Sequence, residues 1–405
     1  MHNLHLLQDR LIQSGFLPDD PRFQAIFAAS PASLESTAPE SPRLGIHVGH
    51  AEEVIDRAIH GNLAIPDFQL FKRGVQEIFE NVKRLEFGGN VASYIPQLAS
   101  VDPNLFAVSF CSIDGQRFNL GDAKVDFCVQ SCSKPMTYSI ALEEVGTDKV
   151  HSHIGKEPSG QSFNHMSLLQ NKRLPHNPMI NAGAIMASNL IQMGQPLYKR
   201  FGKVTDVWTS LFGGKKVSFN NSVYLSEKDT ADRNFALAYM MKEAGAFPKG
   251  TNITETLELL LLSVLQFVRE ADTDKMAILA ATFANGGVCP VTNNHVFEAS
   301  TVRNCICLMG SCGMYDYSGE WNFRVGLPAK SGVSGAIWVV VPNVGGFCLY
   351  SPKVDALGNS CKGIEFFKQL SDRYAFHVLE PSRLKGFKMD PTMKEKGQRN
   401  EMEGE

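Results

Sequence analysis

Two groups of strand-like segments lie far apart in this chain, with a long helical region between them. In the first group, residues 105–113 and 117–120 flank the turn sequence Asp114-Gly115, which is a strong signal for a β-hairpin. In the second, residues 336–341 and 347–350 flank a turn of Pro, Asn and Gly. Because backbone groups of strands must find partners, we expect the two hairpins to meet in one antiparallel sheet. The pattern predicts an α+β fold with this sheet flanked by a helical block.

The N-terminal residues have a pattern of their own. Segments 4–27 and 50–60 have helical spacing, and residues 28–43 between them are rich in Ser, Pro and Ala, as in a flexible linker. The chain beyond His377 is charged and poor in apolar residues. We therefore predict three parts: a small N-terminal helical region at 1–64, a main domain at 65–378, and a disordered tail at 379–405.

Composition excludes several classes of function. The 405 residues are 43% hydrophobic and 20% charged, which is typical of a globular protein with ample core material. A formal net charge of −3 argues against nucleic acid or an anionic membrane as the main partner. The longest apolar runs, near 257–265 and 337–341, are too short to cross a bilayer.

Cysteine usage indicates an intracellular protein with reduced thiols. Nine cysteines occur in a long chain without a secretory signal. Cys305, Cys307 and Cys312 cluster but lack a second spaced pair, so no metal site is predicted. The first ten residues contain no Arg/Ser-rich amphipathic segment, so either a targeting peptide is absent or the chain is a fragment or isoform that lacks one.

A serine and a lysine lie three residues apart where a helical pattern begins. Ser131 and Lys134 follow the apolar, strand-like run 127–129 and precede the helical run 136–142. At this spacing the two side chains share one helix face. A desolvated lysine can take the proton of a serine and make it a nucleophile. Taken alone, however, an N-cap serine beside a surface lysine explains the same spacing more often.

A second motif strengthens the catalytic interpretation. Lys330-Ser331-Gly332 follows about two hundred residues later, next to a predicted strand of the same sheet. In the predicted fold this strand lies beside the start of the Ser131 helix, at a cleft. This pairing resembles the serine β-lactamase and penicillin-binding-protein superfamily. The implied fold is β-lactamase/transpeptidase-like.

Longer motifs resemble a narrower family, the glutaminases, and in particular the animal kidney/liver-type, phosphate-activated enzymes. The resemblance covers roughly residues 66–377. It rests on seven segments: Tyr94-Ile95-Pro96-Gln97-Leu98, Gln130-Ser131-Cys132, 155–160, 176–184, Asp232-Arg233-Asn234-Phe235-Ala236, 311–316 and 326–335.

The resemblance implies hydrolysis of L-glutamine to L-glutamate and ammonia through a covalent acyl-enzyme. It implies that Ser131 is the nucleophile and that Lys134 takes or relays its proton. Tyr94 and Tyr315 would lie near the reacting centre, where a phenol or phenolate can carry a proton to the leaving ammonia. The backbone N–H groups of Ser131 and Val333 would form the oxyanion hole.

The resemblance also implies which residues bind the substrate. They are Gln130, Asn181, Glu227 and Asn234 for the α-amino and α-carboxylate groups, with Ser131, Tyr315 and Val333 at the acyl end. These residue types suit a zwitterion, which needs an acid for its ammonium and donors for its carboxylate. Gly332 would let the substrate approach its strand closely.

Each assignment has a plainer alternative. Asn181 and Asn234 occur as helix caps, Glu227 as an exposed acid in a first helical turn, and the tyrosines as buried aromatics. Lys330 has the alternative of a solvated lysine at a strand edge. It is the joint occurrence of these residues in family order that favours the catalytic roles.

One position departs from the family pattern. Leu260 falls where the family usually has a tyrosine whose hydroxyl reaches the substrate, and about three extra residues precede Asn285. The loop 161–175, which gates the site in the family, also differs. Two other hypotheses therefore remain open: another Ser–Lys amidohydrolase acting on β-lactams or peptides, and a weak or non-catalytic homologue that binds glutamine or glutamate or regulates an active partner.

The expected ligands and partners follow from the resemblance. They are L-glutamine as substrate and a second copy of the chain, in a dimer or tetramer. No nucleic acid, membrane span, metal or organic cofactor is expected, and phosphate is a possible activator. The resemblance suggests a mitochondrial location, with the cytoplasm as the alternative if no targeting peptide exists.

Overall fold

The computed structural model describes residues 2–29, 48–160, 167–169, 173–217, 220–264, 271–381 and 387–394. Its N-terminal part contains α1 (His2–Gln13), α2 (Gln24–Ala28), α3 (Val48–Ile59) and α4 (Phe68–Arg84). The first hairpin and its surroundings contain β1 (Asn90–Val91), α5 (Pro96–Ala99), β2 (Ala107–Ser112) and β3 (Arg117–Gly121).

The helical block and the C-terminal part follow. The block contains a 3₁₀ turn (Gln130–Ser133), α6 (Lys134–Val145), α7 (Thr147–His151), α8 (Asn181–Leu190), α9 (Leu197–Leu211), α10 (Asn221–Asp229), α11 (Asp232–Glu243), α12 (Ile253–Val264) and α13 (Thr273–Ala284). The C-terminal part contains α14 (Ala299–Cys312), a second 3₁₀ turn (Tyr315–Tyr317), α15 (Ser318–Arg324), β4 (Ala329–Ser331), β5 (Ala336–Val341), β6 (Gly345–Tyr350), β7 (Lys353–Val354) and α16 (Cys361–Arg373).

The two predicted hairpins meet in one five-stranded antiparallel sheet, as the sequence predicts. The strand order is β3-β2-β6-β5-β4. β2 pairs with β6 from Ala107 opposite Tyr350 to Ser112 opposite Gly345. This pairing joins the N-terminal and C-terminal hairpins across the whole helical block.

The central strands are buried on both faces, so both sets of alternating side chains are apolar. In β5, Ile337 and Val339 pack on one face, in the cluster that includes α4 and α16. Trp338 and Val340 pack on the other face, in the cluster formed with the helical block. The period-two alternation of a strand therefore divides the interior into two layers, and the helical layer borders the cleft discussed below.

Two predicted extended segments have a different structure. Within 94–98, Ile95 is extended and Pro96 begins the short helix α5, where its missing N–H costs little. Residues 127–129 form no strand; Phe127 donates its backbone N–H to Ala271 at 3.1 Å. A short apolar run is buried in either case, so periodicity alone does not separate a strand from buried coil.

The N-terminal helices form at the predicted places and share an apolar cluster of Leu11, Phe16, Phe23, Val54, Ala58 and Leu63. The predicted linker lies almost wholly outside the described residues. Polar contacts attach this region to the first hairpin: the buried Arg22 donates to the Asp114 carbonyl at 2.9 Å, and the partly exposed Arg57 pairs with the Asp114 carboxylate at 2.6 Å. The division of the chain at residues 64 and 378 stays a prediction.

Part of the tail that the sequence predicts to be disordered contacts α16, the C-terminal helix. Met389 donates its backbone N–H to the Arg373 carbonyl at 3.0 Å, and Lys388 donates to the Ser371 carbonyl at 2.9 Å.

None of the helices in the described ranges combines the length and apolar surface that a membrane crossing requires.

A buried ion network joins the first hairpin to the helical block. Arg117 on β3 contacts Asp274 of α13 at 3.2 Å, and both side chains are almost fully buried. Burial disfavours the ionised form of Asp274, but the charges of Arg117, Lys124 and Lys215 more than offset this, so its pKa lies below the usual value.

We expect Asp274→Asn to lower the free energy of unfolding by about 3–5 kcal/mol, because the Arg117 charge loses a buried partner. Urea denaturation at pH 7 measures this. The lowered pKa of Asp274 contributes stability above its ordinary value of 3.8, and that contribution is lost as pH falls through the folded value. The variant should lack this acid-dependent component. Glu320→Gln, which removes a half-exposed partner of Arg324, is the control and should cost less than about 1 kcal/mol.

Candidate active site

The predicted site residues converge on one cavity of about 470 Å³. Every one of them except Tyr315 lines it: Tyr94, Gln130, Ser131, Lys134, Asn181, Glu227, Asn234 and Val333. Tyr315 lies immediately beside it, because its hydroxyl interacts with the Ser131 side chain and the Val333 N–H. The structure therefore brings together residues that are up to 239 positions apart in the chain, from Tyr94 to Val333.

Ser131 lies in a 3₁₀ turn, one turn before the α-helix that begins at Lys134. The preceding residue, Gln130, has a φ of +51°, a left-handed conformation that non-glycine residues rarely adopt. The turn is fixed by Ser133, whose hydroxyl donates to the Gln130 carbonyl at 2.7 Å, and by Trp338, whose indole donates to the Cys132 carbonyl at 3.0 Å. A strained backbone conformation of this kind is retained only where the surrounding contacts hold the residue in place.

Lys134 is buried, and its surroundings disfavour the charged ammonium form. Its Nζ donates to Asn181 Oδ1 at 2.7 Å. Burial, and then the nearby charge of Lys330, lower the pKa of Lys134 well below the ordinary value. A neutral amine three residues from Ser131 can accept the serine proton.

Tyr315 also has a left-handed backbone, with a φ of +54°. Burial raises the pKa of its phenol, while the Ser131 hydroxyl and the Val333 N–H oppose the rise by favouring the phenolate. The protonated phenol therefore dominates near neutral pH. Its position beside Ser131 suits a group that passes protons to and from the reacting centre.

Tyr94, Gln130 and Glu227 form a closed triangle at one side of the cavity. The Tyr94 hydroxyl donates to Glu227 at 2.8 Å and lies 2.8 Å from Gln130 Oε1, and Gln130 Nε2 donates to Glu227 at 2.8 Å. Burial raises the pKa of Glu227, although the hydrogen bonds from Gln130 and Tyr94 limit the rise. This carboxylate is a ready partner for a buried cation.

For three of the predicted residues the plainer alternative does not fit the structure. Glu227 is 5% exposed and lies in the last turn of α10, so it is not an exposed first-turn acid. Asn181 opens α8 without a capping hydrogen bond; its amide instead donates to Asn234 Oδ1 at 3.2 Å. Lys330 is completely buried rather than solvated.

Sequence reasoning assigned no site role to several cavity residues: Ala92, Ser93, Ala184, Thr230, Arg233 and Val354. Arg233 directly precedes Asn234 on the same helix, and this neighbourhood is the one sequence signal that could have indicated it. Ala92, Ser93 and Val354 lie in or next to the small β1–β7 sheet. The sequence pattern did not predict that sheet. Leu260, the position at which the resemblance leads us to expect a tyrosine, lines the cavity too.

Gly332 has a packing role that the sequence did not indicate. A Cβ there would lie 3.0 Å from the Val129 carbonyl oxygen and 3.1 Å from Cys132 Sγ. The glycine therefore lets the segment that follows β4 approach the Ser131 turn, and its expected role in giving a substrate access to the backbone stays a prediction. This approach places Val333 beside Ser131, where their N–H groups are predicted to form the oxyanion hole.

The antiparallel sheet and the helical block define a β-lactamase-like fold, and its cavity contains Ser131 and Lys134. Two solved structures resemble it. A probable glutaminase, ybaS, superposes with a TM-score of 0.72 at 33% identity, over 76% of this chain and 98% of that one. Mglu in its glutamate form superposes with a TM-score of 0.70 at 31% identity, over 75% of this chain and 68% of that one.

Sequence comparison gives the family. The family model described as Glutaminase matches residues 89–379. Putative glutaminase 3 of Caenorhabditis elegans is 43% identical over 378 residues, covering 91% of this chain and 64% of the relative. The mitochondrial liver isoform of glutaminase from Rattus norvegicus is 42% identical over 398 residues, covering 96% of this chain and 64% of the relative. Glutaminase of Nostoc sp. is 38% identical over 325 residues, covering 80% of this chain and 95% of the relative. The chain belongs to the glutaminase family.

The contact at Gly332 gives a test of how the site is assembled. We expect Gly332→Ala to lower the free energy of unfolding by about 1–3 kcal/mol, because the methyl group pushes the strand away from the Ser131 turn. Gly310 is the matched control: it lies in α14, and a methyl group added there would meet no atom within 4 Å. Gly310→Ala should raise stability by about 0.5–1 kcal/mol. Chemical denaturation of both variants measures the difference, and equal effects would contradict the proposed close packing.

Proposed function

We propose that this protein hydrolyses L-glutamine to L-glutamate and ammonia through an acyl-enzyme on Ser131. The observation that carries the proposal is the cavity itself. It combines a serine and a buried lysine of lowered pKa with a carboxylate and amide groups suited to a free amino acid. Membership of the glutaminase family supports the same conclusion.

The chemistry proceeds in two halves. Lys134 accepts the proton of Ser131 as Oγ bonds to the amide carbon, and the Ser131 and Val333 N–H groups hold the oxyanion. Collapse of this tetrahedral intermediate breaks the C–N bond, and the nitrogen leaves as ammonia with a proton delivered by Lys134 or Tyr315. A water molecule then attacks the ester, loses a proton to the same groups and releases glutamate with the serine restored.

Substrate recognition uses the far side of the cavity. Glu227, held by Tyr94 and Gln130, pairs with the substrate ammonium, which restores the ionised form that burial disfavours. Asn181 and Asn234 supply amide donors to the α-carboxylate. The hydrogen bonds that these groups make with one another in the structure are those that a zwitterionic ligand would exchange for its own.

A second candidate function follows from Leu260. An alkyl group lines the cavity where a hydroxyl is expected, so the protein is alternatively a glutaminase homologue that binds glutamine or glutamate with little turnover, or that regulates an active partner. Glutamine binding without ammonia release would establish this alternative. Ammonia release that depends on Ser131 would exclude it.

We further propose that the chain assembles with copies of itself as a dimer or tetramer, that phosphate activates it, and that it acts in mitochondria. The family resemblance supports all three. The location is also supported by the mitochondrial liver isoforms among its relatives. Light scattering and ammonia release, each measured with and without phosphate, test the first two proposals together.

Ser131→Ala is expected to lower ammonia release by at least about a thousandfold, because the acyl-enzyme cannot form. The rate of ammonia release by Lys134→Met should be lower by a factor of about 10²–10⁴, since the serine loses its base. Coupled detection of ammonia and glutamate measures both. Ser210→Ala, on the surface of α9, is the control and should retain full activity. Undiminished hydrolysis by Ser131→Ala would disprove the mechanism.

Leu260→Tyr is expected to raise kcat/KM for glutamine about ten- to a hundredfold, because a hydroxyl that reaches a charged ligand contributes roughly 1.5–3 kcal/mol. Steady-state kinetics measure the change. Leu260→Phe adds the ring without the hydroxyl and should give no such gain. Equal gains from both variants would show that shape, not the hydroxyl, limits the site.

A further inference from the structure

Asn359 is a buried polar residue that the proposed mechanism does not use. It ends the loop between β7 and α16 and is completely buried. Its Nδ2 donates to the Met314 carbonyl at 3.3 Å, whereas no hydrogen bond reaches its Oδ1 from the part of the chain that the structure describes. A buried amide with an unpartnered oxygen costs free energy, so its presence requires an explanation.

The side chain of Asn359 takes no part in closing its own loop. Asp355 does this, because its Oδ1 accepts the N–H groups of Leu357 and Asn359, each at 2.9 Å. Two backbone bonds complete the closure, from the Asp355 N–H to the Asn359 carbonyl at 2.9 Å and from the Gly358 N–H to the Asp355 carbonyl at 3.0 Å. The loop therefore holds the Asn359 amide in place and leaves it to bond elsewhere.

The amide bonds to the turn that carries Tyr315. Met314 directly precedes Tyr315, whose φ of +54° is a left-handed conformation that requires support from its surroundings. Ser318 supplies part of this support: its Oγ accepts the Met314 N–H at 3.0 Å and donates to the Tyr315 carbonyl at 2.7 Å. The Met314 carbonyl accepts the Tyr317 N–H at 3.1 Å. Asn359 supplies the second hydrogen bond that this oxygen can accept, and it comes from a distant segment of the chain.

The same loop lies beside the Tyr315 ring. A Cβ added at Gly358 would lie 3.6 Å from Cε2 and 3.7 Å from Cδ2 of Tyr315, and 3.4 Å from Cγ1 of Val333. The loop follows directly on Val354, which lines the cavity. It therefore borders the phenol, a residue of the predicted oxyanion hole and the cavity wall together.

We propose that Asn359 is a positioning residue for the acyl-transfer centre: by holding the Met314 carbonyl, it fixes the turn that directs the Tyr315 hydroxyl to Ser131. The inference rests on the proposed function and deepens it, because it takes Tyr315 as a proton donor to the leaving nitrogen. Such a donor acts only within hydrogen-bond reach of the atom that it protonates. A misplacement of about 1 Å can lower the rate about a hundredfold, so the position of the turn matters as much as the hydroxyl.

Asn359→Leu tests the proposal, because leucine has nearly the shape of asparagine but no donor. The Met314 carbonyl keeps its bond to Tyr317, so the turn is left without an unpaired group there and the urea midpoint should stay near that of the wild type. We expect kcat for ammonia release from glutamine to fall about ten- to a hundredfold. KM should change less than about twofold, since the groups that bind the amino acid are untouched.

Asn285→Leu is the matched control. Asn285 also donates its Nδ2 to a backbone carbonyl, that of Val288 at 2.9 Å, and it is not among the residues that line the cavity. Its kcat and KM should equal those of the wild type. Asn359→Ala, which lacks the donor as well, replaces the leucine variant if the urea midpoint shows that the leucine variant does not fold.

A second comparison separates positioning from a general structural effect. Tyr315→Phe keeps Ser131 and Lys134, so its slower turnover stays measurable, but it has no hydroxyl to position. Adding Asn359→Leu to it should therefore change kcat less than about twofold. Hydrogen exchange followed by mass spectrometry reports on the turn itself. The amides of 314–318 should exchange faster in Asn359→Leu than in the wild type, whereas those of 130–134 should not.

An unchanged kcat in Asn359→Leu overturns the proposal. Undiminished activity of Tyr315→Phe does so too, as does a loss from Asn359→Leu that is equally large in the Tyr315→Phe background. Wild-type protein that releases no ammonia would refute the proposed function instead. Exchange then decides the inference: faster exchange at 314–318 that is confined to Asn359→Leu supports the hold on the turn, and exchange equal to that of Asn285→Leu refutes it.

Discussion

The pairing of β2 with β6 is the constraint on which the rest of this structure depends. It joins strands that are more than two hundred residues apart in the chain, so the helical block must close back onto the sheet. Such closure is costly in chain entropy and is offset by strands buried on both faces. The cleft lies where the block and the sheet meet, which is why its residues come from both.

The predicted catalytic residues lie where the segment that follows β4 packs against the Ser131 turn. Gly332 allows this close approach, and both Gln130 and Tyr315 have left-handed backbone conformations. Local strain of this kind requires support from the surrounding fold. The support comes from Trp338 on the central strand β5, which bonds to the turn.

Buried charged or basic side chains occur in two different settings in this molecule. Beneath the first hairpin Arg117 and Asp274 compensate each other and join the layers, so their role is structural. Lys134 lines the cleft and Lys330 lies on β4; both are buried, and burial lowers the pKa of each, with the Lys330 charge lowering that of Lys134 further. A compensated ion pair keeps both of its charges in the interior, whereas burial by itself favours the uncharged form of an amine.

The sequence alone determined the elements that local pattern controls. The hairpins, the α4 and α16 helices and the motif order around Ser131 and Lys330 are readable because apolar periodicity and turn residues are local signals. It did not reveal that 127–129 is coil, that Gly332 serves packing, or that Lys330 is buried. Those facts were decided by tertiary structure, because burial and electrostatic environment depend on which distant segments come together, and a side chain's pKa depends on both.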